Sequence, residues 1–348
     1  AWVGGINHRH FQYDHVTAQR QVGSTFKPLI YAAALNHGVD PCEYIPNEKV
    51  VYPTYKNWAP GNSDGKYEGF YSLKGGLVKS VNTVSAAVMM KVGVEPAAKF
   101  AENFGFTHAL PHDPSLVLGT ADLSVQEMVG AYSAFANRGV RSVPVCVVKI
   151  TDSHGKVLVE WPQERGRHRV MTTVVADQMV NMLQAVVDSG TARRLRYTYG
   201  LRTQIAGKTG TTQNHTDGWF MGVTPQLVVG TWVGGDDRQV RFRSLSLGQG
   251  ANTALPIFGL FMKKVYQDQQ YRNLRNAQFP EPNLGVIRSL DCPLYSENGL
   301  NASDNLIDLL RRLQNEREER RQQREQDDET FQDRWDRFFN RRKNNGGQ

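Results

Sequence analysis

The chain has 348 residues, 40% of them hydrophobic, and a formal net charge of +7. That is enough for a packed core in one large domain with an extension, or in two modest domains. No run of about 18 apolar residues occurs, which excludes a membrane-spanning helix within this sequence.

The positive charge is spread along the chain and identifies no partner by itself; a nucleic-acid partner is not expected. Cys42, Cys146 and Cys292 lie far apart with no CxxC, which argues against a zinc cluster or a redox pair and leaves the compartment open.

In chain order, "AWVGG" reads as a strand end closed by a Gly-Gly turn. "AWVGGINHRH" lacks the charged and apolar regions of a signal peptide, and the chain reads as a piece of something longer. His8 and His10 form a strand-like pair better suited to exposed surface than to metal ligands. Residues 24–36 form a helix that stops near Gly38. Residues 40–71, rich in Pro, Asn, Gly, Tyr and Trp, form a long ordered loop of the kind that carries function or covers something. "SLKGGLVKSVNTVSAAVMMKVG" is helical with a polar break at Ser80.

Further helices are expected at about 95–103, 123–137, 172–188 and 254–267, and strands at 144–150, 156–161, 203–211, 217–223 and 227–234. The last three, joined by short turns, predict an antiparallel meander. Helices before and after it predict an α/β, layered α+β fold with an antiparallel central sheet sandwiched by helices. The domain is expected to end at residue 285. Residues 286–348 form a charged, partly helical extension. There Phe331, Trp335, Phe338 and Phe339 share one helical face, so the tail reads either as a solvated segment or as a docking helix.

Three short stretches carry chemistry. The first is Ser24-x-x-Lys27 in "RQVGSTFKPLIYAAAL". On a helix, residues i and i+3 sit about 5–6 Å apart between Cβ atoms, so the amine reaches the hydroxyl. Pro28 is tolerated only in a first turn, which puts Ser24 at or just before the helix N-terminus, where unpaired N–H groups favour developing negative charge. The competing reading is an N-cap serine beside a solvated lysine. The second is Ser80-Val81-Asn82, polar residues unwelcome inside a buried helix. At a turn facing a cleft the hydroxyl can pass a proton and the amide can hold a substrate amide; a plain helix cap is the alternative.

The third is Lys208-Thr209-Gly210-Thr211-Thr212. A strand edge carrying Lys and Thr holds a carboxylate, and Gly210 lets a ligand approach the backbone. A phosphate-binding loop would also use the GKT core. It needs a glycine at position 202, where Arg202 stands, and Gly200 is two residues too early. Trp58, Tyr67 and Trp219 either line the cleft or pack the core.

The three motifs, in this order, match the signature of penicillin-recognising serine enzymes. "RQVGSTFKPLIYAAAL", "NWAPGNSDGKYEGFYSLKGGLVKSVNTVSA", "LVLGTADLSVQEMVGAYSAFANRGV", "DSGTARRLR", "AGKTGTTQNHTDGWFMGVTPQLVVGTWVGGDD" and "TALPIFGLFM" resemble the transpeptidase domain of class A, bifunctional penicillin-binding proteins over about residues 1–285. Gly75-Gly76 and Ser63 depart from that family's usual residues, and the glycine pair is expected to loosen the helix leading to Ser80.

The resemblance implies a periplasmic DD-transpeptidase acting on peptidoglycan stem peptides and inhibited by β-lactams, with a glycosyltransferase domain and a membrane anchor upstream of these residues. It implies that Ser24 is the nucleophile, Lys27 its base and Ser80 a proton relay. Asn82 would bind the substrate amide, Lys208, Thr209 and Thr211 the terminal carboxylate, and Gly210 would leave room. The oxyanion hole would be the N–H groups of Ser24 and Thr211, with no metal and no cofactor. Lys27 must be neutral to serve as base, so its ordinary pKa of about 10.4 has to fall through burial and the charge of Lys208. A β-lactamase would need a Glu-x-x-Leu-Asn between Asn82 and Lys208, and none occurs. A DD-carboxypeptidase and a β-lactam sensor that is acylated once remain as alternatives.

Overall fold

A computed structural model describes residues 1–5, 7, 9, 12–161 and 167–299. His8, His10 and the aromatic residues 331–339 lie outside the described residues.

Helix α1, Lys27–Asn36, is buried from Lys27 to Leu35 and runs through the middle of the domain. Its leucine and alanines are strong helix formers, Pro28 sits in the first turn, and the left-handed Gly38 stops it. Around it stand α2 (Leu73–Lys79), α3 (Asn82–Val92), α4 (Val94–Glu102), α5 (Val125–Ala136) and α6 (Thr173–Asp188). Helix α5 opens with a capping box, Ser124 and Glu127 bonding each other's backbone N–H. Helices α7 (Ala254–Gln267) and α8 (Leu284–Ser289) follow.

The strands that shape the domain around the site are β1 (Tyr44–Pro46), β2 (Phe70–Ser72), β3 (Lys149–Thr151), β4 (Val157–Glu160), β5 (Ala206–Thr211), β6 (Asp217–Val223), β7 (Val228–Gly234) and the two-residue β8 (Tyr295–Ser296). The expected meander is present: β5, β6 and β7 form an antiparallel sheet with β6 in the middle, pairing Gly218 with Thr211 and Met221 with Lys208. Alternation along β6 divides the core. Trp219, Met221 and Val223 join the cluster built on α1, α5 and α6, whereas Phe220 packs on Phe258 of α7. Helices therefore cover both faces of the sheet.

Five sequence expectations shift. Residues 1–5 form no strand; instead the His15 N–H donates to the Gly4 carbonyl. Residues 40–71 are not loop throughout, since β1 and β2 pair within them. Of residues 144–150 only the end joins a strand, and Val145, Val147 and Val148 are exposed. The boundary drawn at 285/286 falls inside α8, and the compact unit runs to Gly299. The physical cause is a strap: Cys42 and Cys292 are joined by a disulfide, and Tyr295 of β8 pairs with Tyr71 of β2. The Lys74 ammonium donates to the Leu290 carbonyl. Gly75 and Gly76 do not loosen α2. A Cβ at Gly75 would overlap the Leu294 carbonyl, so the missing side chain admits the strap.

Candidate active site

Ser24 lies in a 3₁₀ turn, Gly23–Thr25, immediately before α1, rather than in the helix proper. Ser24 and Lys27 stand three residues apart across this turn and the first residue of α1, a spacing that places them on one side. The turn is held by backbone: Val22 N–H donates to Ala121 O at 3.2 Å and Gly23 N–H to Gly119 O at 3.0 Å. Gly23 is left-handed, and a Cβ there would stand 2.7 Å from Thr211 O and 3.2 Å from Thr211 N. Thr212 N–H bonds Asp217 O across the ladder, so by antiparallel alternation the N–H and C=O of Thr211 point off the open side of β5, at this turn.

Lys27 is fully buried. Its ammonium donates to Ser80 O and Asn82 Oδ1, both at 2.7 Å, and to Ser80 Oγ at 3.3 Å. Lys208, also fully buried, donates to the same Ser80 Oγ at 2.8 Å and to Thr209 O at 3.0 Å. One hydroxyl thus joins two buried amines. Burial, and then the charge of Lys208, drives the Lys27 pKa far below its usual value; burial takes Lys208 to about 7. A neutral Lys27 amine spends two N–H bonds on the shorter contacts and keeps a lone pair for a hydroxyl proton. Ser80 reaches this position as the left-handed C-cap of α2, with φ of 59°.

The chain matches the family description "Penicillin binding protein transpeptidase domain" over residues 4–237. It belongs to that family. A relative named Penicillin-binding protein 1A from Neisseria meningitidis is 34% identical over 298 residues, 83% of this chain and 36% of that protein. A Penicillin-binding protein 1A from Aquifex aeolicus is 36% identical over 302 residues, 85% of this chain and 40% of that protein. The chain therefore spans well under half the length of these relatives. The solved Penicillin-Binding Protein 1A from Haemophilus influenzae superposes with a TM-score of 0.68 at 28% identity, covering 81% of this chain and 46% of that one. Penicillin-binding protein PonA1 from Mycobacterium tuberculosis shares the fold, with a TM-score of 0.68 at 23% identity over 80% of this chain and 76% of that one.

In this transpeptidase domain all three motifs meet at one place, with one change to their expected geometry. Gly210 does not open a space for ligand: a Cβ there would meet Val22 O at 2.8 Å and Thr25 Cγ2 at 2.9 Å, so it admits the Ser24 turn. The GKT of the rejected phosphate-loop reading lies in a strand that leads through a 3₁₀ turn to another strand, with no helix to bind phosphate. Thr209 Oγ1 hydrogen-bonds Thr191 Oγ1 at 2.6 Å, and Thr211 Oγ1 accepts from Gly250 N–H at 3.1 Å. Trp219 is buried core beneath the site, its Nε1–H donating to Gln21 O. Trp58 stacks on Tyr52, and the Tyr67 hydroxyl accepts from Asn62 N–H. Thr191 and Asn62 went unread in the sequence; Thr191 stands inside the quoted "DSGTARRLR". Among the described residues no cluster of ligating side chains is arranged for a metal.

Proposed function

We propose that this domain cross-links peptidoglycan stem peptides through an acyl-enzyme on Ser24 and is blocked by β-lactams that acylate the same serine. The observation carrying this reading is the Ser80 hydroxyl held between two fully buried lysines, next to the turn that bears Ser24.

Neutral Lys27 takes the Ser24 proton as Oγ attacks the carbonyl of the penultimate D-Ala. The N–H groups of Ser24 and Thr211 receive the oxyanion; a donor of this kind is worth roughly 10²–10³ in rate. The C–N bond to the last D-Ala breaks. Its nitrogen takes a proton from Ser80, which recovers one from Lys27. A neighbouring amine then attacks the ester, gives up a proton by the same route, and releases Ser24. Asn82 orients the substrate amide. Lys208 lends positive charge to the terminal carboxylate, and the hydroxyls of Thr209 and Thr211 bind it. The Cys42–Cys292 disulfide fits an oxidising compartment, which supports a periplasmic or other extracytoplasmic site. By kinship with longer relatives, an upstream glycosyltransferase domain and a membrane anchor belong to the full-length protein.

The test is a fluorescent penicillin, read by intact mass and by the labelled peptide. One label on Ser24, slow to leave and lost in Ser24→Ala, is expected; full covalent labelling of Ser24→Ala would end the proposal. D-Ala release that depends on an added acceptor amine separates transpeptidation from carboxypeptidation and from a one-shot sensor.

A further inference from the structure

Helix α3 begins immediately after the Ser80 turn, with Val81 at its N-cap. Valine has no acceptor, so this helix has no cap of its own among the residues that favour that position. Its first two amides are satisfied from a distance of 20 residues or more. Asn62 Oδ1 accepts from Asn82 N–H at 2.9 Å and from Thr83 N–H at 3.1 Å. Asn62 is itself fixed: its Nδ2 donates to Asn47 Oδ1 and Lys66 O, both at 2.7 Å. Asn47 is buried and also accepts from Thr83 Oγ1 at 2.7 Å. The same loop takes the other end of the Asn82 amide, whose Nδ2 donates to Gly61 O at 2.8 Å. Asn82 Oδ1 is thereby left directed at Lys27 Nζ.

Resting on the acyl-enzyme reading above, we propose that Asn62 is a positioning residue of the acylation step. It caps α3 in trans and so fixes the Asn82 amide that orients the Lys27 amine. Two orphan donors at the helix start, one of them the backbone N–H of the residue whose side chain holds the base, answer to one oxygen. Removing it lets the first turn of α3 fray, and an error of about 1 Å at a base costs up to about a hundredfold in rate.

The experiment measures the rate of acylation by a fluorescent penicillin against pH on the whole chain, with thermal unfolding alongside, for wild type, Asn62→Ala and Asn62→Ala/Val81→Ser. Asn62→Ala is expected to fold and to acylate about 10- to 100-fold more slowly. The acid limb of its profile moves to lower pH, because the protonated Lys27 amine loses a firm acceptor in Asn82. Val81→Ser, which supplies a cap within the helix, recovers part of the rate. Where Asn62→Ala does not fold, Asn62→Asp keeps the accepting oxygens; its carboxylate beside the Lys27–Asn82 pair moves the limb to higher pH. A wild-type rate and limb in Asn62→Ala would overturn the inference. So would a slow variant with the wild-type limb and no recovery by Val81→Ser, and so would an unmoved limb in Asn62→Asp. Failure of wild type to label at Ser24 overturns the parent reading instead, and the two failures are distinguished by that control.

Discussion

The two walls of this site are held by different kinds of bond. The wall bearing Ser24 and Lys208 is backbone against backbone. Six residues of β5 pair in register with β6, the Ser24 turn hangs on Gly119 and Ala121, and the buried pair Arg20–Asp217 ties the approach to this turn to the start of β6. The wall bearing Ser80 and Asn82 is a break between two helices. Locally it has the Ser80 N–H to Leu77 O and Val81 N–H to Gly76 O bonds of a helix end and the Ser85 N–H to Val81 O bond of a helix start. Its remaining supports are side chains: Asn62 in front, Lys27 beneath, and behind α2 the strap closed by Cys42–Cys292. A ladder spreads its load over many equivalent bonds, so most single side chains there are replaceable. A helix break propped by a few side chains depends on each of them.

The exception on the first wall is a residue without a side chain, and it gives the largest expected effect. Gly119 is left-handed, with φ of 78°, and a Cβ there would overlap the Gly23 carbonyl oxygen. Gly119→Ala combines backbone strain with a clash that neither partner can leave, and is expected to cost about 2–5 kcal/mol. Urea unfolding reads the stability, and penicillin labelling should fall with it. Normal labelling in a protein of wild-type stability would show that the Ser24 turn does not depend on this contact.

On the second wall, Cys42→Ser/Cys292→Ser opens the strap. Replacing both avoids mispairing with the exposed thiol of Cys146. The loss is expected at about 2–5 kcal/mol, with slower acylation because α2 carries Ser80. Gly75→Ala strains the same joint without touching the disulfide, since its Cβ collides with the Leu294 carbonyl, for about 1–3 kcal/mol. Stability lost with an unchanged acylation rate in both variants would mean that the strap holds the fold and not the site.

This contrast decides what was legible in the sequence. Ser24, Lys27, Ser80, Asn82 and Lys208 are visible because their spacing is local and their chemistry needs those residue types. The β5–β7 meander is visible because alternation and short turns are local too. The strap is not, because its anchor joins residues 250 apart and its segment, "VIRSLDCPLYSENG", carries no strong period. Gly75 and Gly76 read as weakness in a helix, because only the fold reveals the backbone that presses on one and the Val84 side chain that presses on the other. Asn62 had a faint signal: Val81 occupies a cap position that a valine cannot serve.

The walls meet at Ser80, and the pH dependence of stability tests that seam. Lys208 has a folded pKa near 7 against an ordinary value of 10.5. Between those limits the unfolded chain binds more protons than the folded one, so stability rises with pH at up to about 1.4 kcal/mol per pH unit. Below about pH 7 both states are protonated at Lys208 and its full desolvation cost stands. Lys27, lowered further, adds the same sign. Above about pH 10 the slope reverses. Burial raises the pKa of Tyr31 and Tyr132, so these phenols ionise first in the unfolded chain. Urea midpoints from pH 6 to 10 should therefore climb in wild type and climb less steeply in Lys208→Met, where Lys27 alone remains. A wild-type profile flat across this range would mean that the two amines do not share a dry seam, and the proton relay through Ser80 would lose its physical basis.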